Sequence, residues 1–126
     1  MIEVEKHIAY WRDGAAEDWE VASELIVANR TRHGLFFAHL ALEKLLKAHV
    51  CRHTKQVPPR IHNLPRLAEI AGLRLDQRQL DILADMNPFS RQARYPDLFI
   101  PTPSPEKGKD LVGRAAEVYQ WLMSQL

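Results

Sequence analysis

Cysteine is nearly absent from this chain. Cys51 stands alone, so no intramolecular disulfide can form, and the composition suits a reducing compartment. An excess of charge is missing too: 17 Lys and Arg face 16 Asp and Glu, a formal net charge of +1. That balance excludes binding by blanket phosphate neutralisation and confines any nucleic-acid contact to a local cluster. No stretch approaches the roughly 18 consecutive apolar residues of a membrane span. Met1-Ile2-Glu3-Val4-Glu5-Lys6-His7 lacks the basic segment and apolar run of a secretory leader. A cytoplasmic protein with no membrane contact is therefore expected. Histidine disappears after position 62, the six being His7, His33, His39, His49, His53 and His62. There is no Gly-rich phosphate loop, no Glu-x-x-His pair for a di-iron bundle, and no Ser or Cys nucleophile with a placed base. No cofactor is expected.

What the sequence does have is helical periodicity. Its 126 residues fit one domain spanning 1–126, and a chain of this size buries roughly two-thirds of its unfolded surface. Apolar residues recur every three or four positions, and alternation with period two is not sustained. A first helix is predicted from Ile2 to Asn29 on the stripe Ile8, Trp11, Ala15, Trp19, Ala22, Leu25 and Ile26. Asn29 to Gly34 reads as a turn, with Gly34 supplying positive φ. The second helix, Leu35 to His53, carries Leu35, Ala38, Leu42, Leu45 and His49 on one stripe and ends before Pro58-Pro59. Asn63 is the expected N-cap of a short third helix, with Pro65 in its first turn and Gly72 beyond its end. Asp76 and Gln79 resemble a capping box for a fourth, which Asn87-Pro88 breaks or kinks. Residues 88–105 read as irregular, with five prolines, and Ser104-Pro105 starts the last helix. The expected fold is all-α: an antiparallel up-and-down bundle of four to five helices, with the first two as its central hairpin.

On those helices, particular residues stand in a particular order. Trp11 opens a helix that continues Ala16-Glu17-Asp18-Trp19. Phe37-Ala38-His39-Leu40-Ala41-Leu42-Glu43-Lys44-Leu45-Leu46-Lys47-Ala48 fills the second helix. Pro59-Arg60-Ile61-His62-Asn63-Leu64 precedes the third, and Arg94-Tyr95-Pro96-Asp97 precedes the last. Over nearly the whole chain, this ordered set resembles the HEPN domain family. The resemblance implies a small helical bundle, usually a homodimer. It also implies a stand-alone type encoded beside a minimal nucleotidyltransferase and paired with it as toxin and antitoxin. Other members of the family are metal-independent ribonucleases with an Arg and a His four to six residues apart, late in the helical core. This chain departs from that pattern, because Arg91 and Arg94 have no His downstream. Arg32 and His39 have the spacing, but at the start of the second helix.

Four candidate sites follow. Glu43 and Lys47 lie four apart, the favourable order for a helix pair, and an exposed salt bridge is the ordinary reading. The functional reading places Glu43, Lys44 and Lys47 on the rim of a groove or dimer seam, with His39 one turn before. Arg60 and His62 flank a helix start, a natural anion seat, although capping alone explains His62 and Asn63 equally well. Arg94 and Tyr95 offer a guanidinium and a stackable ring on a turn fixed by Pro96, against the plainer reading of a structural corner. The loop with Arg60 and His62 is expected to meet that turn beside the second helix, forming one polar pocket. His49 and His53 have metal-binding spacing, but Cys51 between them points elsewhere, and no metal is expected.

Three functions compete: a partner-binding module for a nucleotidyltransferase, with nucleotide or RNA bound as well; a metal-independent endoribonuclease using His39 or His62; and a purely structural dimerisation module. No DNA binding is expected. Three Trp, four Phe and three Tyr are more rings than a narrow core hides, which favours an interface between copies.

Overall fold

Helices form where the sequence places apolar residues at helical spacing. The computed structural model describes residues 2–90 and 101–126. The described residues form five α-helices and no strand: α1 Val4–Val27, α2 Thr31–Thr54, α3 Leu64–Ile70, α4 Gln77–Met86 and α5 Pro105–Ser124. Residues 88–90 are helical again after a turn at Asn87, where an irregular segment was expected. Pro88 sits where a helix tolerates it, at the start of a new turn.

The α1–α2 connection is tighter than expected. Asn29, not Gly34, takes the left-handed conformation, at φ 61°. Asn tolerates that region better than most residues, so α2 begins at Thr31 and Gly34 lies inside it. Gly34 is there for space: a Cβ would stand 2.7 Å from the Ile26 side chain and 3.2 Å from its backbone nitrogen. Gly108 plays the same part between α5 and α2, where a Cβ would meet the Thr31 methyl at 2.5 Å.

The other boundaries follow the capping chemistry. The Asn63 side chain accepts from the Arg66 N–H, and Asp76 and Gln79 close a reciprocal capping box. The Ser104 hydroxyl accepts from the Lys107 N–H, with Pro105 in the first turn. Gly72 takes φ +68° after α3.

α1 and α2 pack along their lengths, and α5 lies against both. α2 is the most buried element: Leu35, Ala38, Ala41, Leu42, Leu45 and Leu46 show no exposed surface. Trp19 of α1 stacks on Tyr119 of α5, with centroids 4.5 Å apart and planes 9° from parallel. α3 and α4 close one end of the bundle, adding Leu64, Leu67, Ile82, Leu83 and Met86 to the core. Among the described rings, Phe89 and Tyr119 are buried, Tyr10 is exposed, and Trp11, Trp19, Phe36, Phe37 and Trp121 are half-buried. No helix among the described residues is long and apolar enough to cross a membrane.

Candidate functional site

His39, Glu43 and Lys47, in the middle of α2, are not solvated. Glu43 is 4% exposed and Lys47 6%. The exposed salt bridge expected of this pair is therefore corrected: the pair forms, with Lys47 Nζ 3.0 Å from Glu43 Oε2, but inside the bundle. The reason is that α2 is covered by α1, α5 and the α2–α3 connection, so the stripe of His39, Glu43 and Lys47 faces protein.

Glu43 is the centre of the group. Its Oε1 lies 2.9 Å from His62 Nδ1, and since a carboxylate oxygen accepts, that nitrogen carries the hydrogen. His39, one turn earlier on α2, places its own Nδ1 3.8 Å from the same oxygen, too long for a hydrogen bond. Lys47 also sits over the Trp11 ring of α1, 5.4 Å from its centroid, within the range of a cation–π contact. A charge buried this deeply is tolerated only when paired and hydrogen-bonded, and Glu43 satisfies both conditions.

His39 is 1% exposed, and its Nε2 lacks a hydrogen-bond partner within the described structure. Burial pushes its pKa down to about 4 against the opposing pull of Glu43, so near neutral pH it is an uncharged imidazole. Asn87, at the end of α4, faces this corner. Its Oδ1 accepts from the Leu64 N–H at 3.0 Å and its amide nitrogen donates to Asn63 Oδ1 at 3.2 Å. Asn87 thereby ties the end of α4 to the start of α3. Its role was not foreseen: in the sequence it reads only as the residue before a helix-breaking proline, and nothing local signals a partner more than twenty positions away.

The remaining candidates separate. Lys44 points away from Glu43 and Lys47, crossing α1 beside Gly14 to reach Asp18 at 2.7 Å. The grouping of Lys44 with Glu43 and Lys47 on one rim is thus corrected, because consecutive helical positions diverge by about 100°. Asp18, its partner, was likewise not foreseen. Arg60 is exposed on the loop two residues before His62. His62 itself faces Glu43 rather than capping α3, while Asn63 does the capping. The seven-residue α3 offers little as an anion seat with a carboxylate already beside His62. Arg94 and Tyr95, like Arg91, fall outside the described residues. His49 donates from Nε2 to the Leu122 carbonyl at 2.8 Å, closing the last turn of α5, and burial lowers its pKa. His53 instead packs over Gly72. Among the described residues no group of three His, Cys, Asp or Glu is placed to hold a metal.

The site is thus one carboxylate serving a lysine and an imidazole, buried on α2 and reaching the surface at His62. The HEPN domain profile matches residues 8–126, almost the entire chain and every element that builds this corner. The chain belongs to the HEPN family. As a HEPN protein it is also similar in structure to TT1696 from Thermus thermophilus, with a TM-score of 0.79 and 17% identity over 94% of this chain and 98% of that one. It is similar to ST0689, an archaeal HEPN homologue, with a TM-score of 0.71 and 18% identity over 99% of this chain and 98% of that one. At such identities the likeness shows the HEPN fold alone. None of the curated proteins matches the chain.

Proposed function

We propose that this HEPN protein is a binding module: it engages a minimal nucleotidyltransferase in a toxin–antitoxin-type pair, acts as a homodimer, and takes a nucleotide or RNA end where His62 emerges. The observation that carries this reading is the Glu43–Lys47–His62 group. A small helical core has no stability reason to bury a charged network, since an apolar replacement is often neutral or better. A network that is kept and reaches the surface at a half-exposed His62 side chain, near the exposed Arg60, fits recognition. Arg60 brings a planar fork suited to phosphate.

Calorimetric titration of the purified protein with ATP and with a short RNA tests the ligand. Arg60→Ala and His62→Ala are expected to weaken binding about tenfold each while the circular dichroism spectrum stays unchanged; undiminished binding in both rejects the site. Pull-down with the product of the neighbouring gene tests the partner, and light scattering tests the dimer, which a mass near 14.5 kDa rejects.

One observation favours a second reading. An imidazole held at Nδ1 by a carboxylate, as His62 is by Glu43, is the arrangement by which general acid–base catalysts are oriented. A metal-independent ribonuclease would use His62 in contact with RNA. Buried His39 does not reach a substrate and at most positions Glu43. Cleavage of labelled RNA in EDTA, lost in His62→Ala, supports that reading; no cleavage rejects it.

A further inference from the structure

The end of the bundle that carries His62 also carries an open trough between α3 and α4, about 690 Å³ in volume, which the Glu43 site does not use. Its lining is aliphatic at Pro65, Ala68, Leu73, Leu75 and Leu80 and polar at Asn63, Arg66, Glu69 and Arg74. Pro65, Leu73, Leu75 and Leu80 line it and are not fully buried, so an apolar surface is left facing water. Two cations stand at its edge. Arg66 is paired with Glu69 at 2.9 Å, whereas Arg74 is exposed and makes no ion pair among the described residues. The trough thus combines aliphatic walls with one uncompensated positive charge. Asn63, next to His62, lies at its end, making it continuous with the candidate site.

We infer that this trough docks a short segment of a partner protein whose leucine-like side chains fill it and whose acidic residue pairs with Arg74. Charge complementarity selects the sign of the partner. The apolar side chains of the described lining select its class: single-stranded nucleic acid is held by base stacking on rings, whereas Pro65, Leu73, Leu75 and Leu80 offer aliphatic carbon. Apolar grooves are instead where amphipathic protein segments lay their apolar side chains, and Arg74 at the edge suits an acidic residue on such a segment. The inference rests on the reading of this chain as a partner-binding module and names the surface. Its test uses a synthetic probe, so it fails or stands independently of the nucleotidyltransferase and of the nucleotide.

The probe is a short peptide of alternating leucine and glutamate, titrated into the isotopically labelled full chain and followed by amide chemical shifts. Shifts concentrated on Leu73, Arg74, Leu75 and Leu80 are expected. Arg74→Glu, a change at an exposed position, is expected to weaken the peptide roughly fivefold, and a lysine-for-glutamate peptide is expected to regain affinity for that variant. Shifts that avoid the trough, equal binding of both peptides by the native chain, or an unaffected Arg74→Glu variant overturn the inference. So does a mixed-sequence RNA that shifts the trough residues when the peptide does not.

Discussion

Glu43 accepts from Lys47 on one oxygen and meets His62 on the other, in a place where neither Glu43 nor Lys47 retains more than a few per cent exposure. Removing it leaves a buried ammonium whose remaining partner among the described residues is the Trp11 ring. Glu43→Ala is therefore expected to cost about 3–5 kcal/mol in urea denaturation, whereas Glu43→Leu combined with Lys47→Met recovers most of that loss. If the double variant is as unstable as the single one, the charges contribute stability of their own. His39 makes stability depend on pH. Its folded pKa of about 4 lies below the ordinary 6.5, so the folded state resists protonation. The resulting stability is fully present above pH 6.5 and is lost as pH falls from 6.5 through 4. Between pH 7 and pH 4 the native chain is expected to lose about 3 kcal/mol more than a His39→Gln variant. Parallel pH profiles of the two proteins contradict this assignment. Burial lowers the pKa of His49 as well, so it adds to the native decline with the same sign and is common to both proteins.

Among the elements, glycines show where helices touch. Gly34 in α2 and Gly113 in α5 have the same intrinsic cost, yet a Cβ at Gly34 meets Ile26 at 2.7 Å and one at Gly113 meets nothing within 4 Å. Gly113→Ala is expected to raise stability by about 0.5–1 kcal/mol. Gly34→Ala is expected to lower it by about 1–3 kcal/mol through overpacking. Thermal melts of the two variants should move in opposite directions. This pair also marks how far a sequence can be read. Helix starts announced by local chemistry, at Asn63, Asp76 and Ser104, were legible because the cap and its N–H partner lie three positions apart. The α1–α2 turn was not, since Gly34 obeys a contact with Ile26 on the neighbouring helix. Gly is also the default residue for positive φ, so the local rule pointed to the wrong residue.

At the scale of the molecule, the all-helical bundle and its hairpin were legible because periodicity reports which face is buried. The site was legible in part. His39, Glu43 and Lys47 share one helical face, and their alignment follows from spacing alone. That Glu43 would be enclosed, that His62 would come to it, and that Lys44 would leave for Asp18 depend on where α1 and the α2–α3 connection lie in space. The Trp19–Tyr119 stack has the same origin: it joins α1 to α5 across the fold, a contact invisible in either helix by itself.

α5 completes the cover over α2, its last turn held by the His49 bond to Leu122. During synthesis the α1–α2 hairpin is made before residues 105–124, so a nascent chain presents a leucine-rich flank that α5 does not yet cover. A chain stopped at residue 104 is expected to collect in the insoluble fraction on expression. Supplying the α5 segment as a separate peptide should return part of it to solution, making the final helix the step that commits the molecule to its folded form.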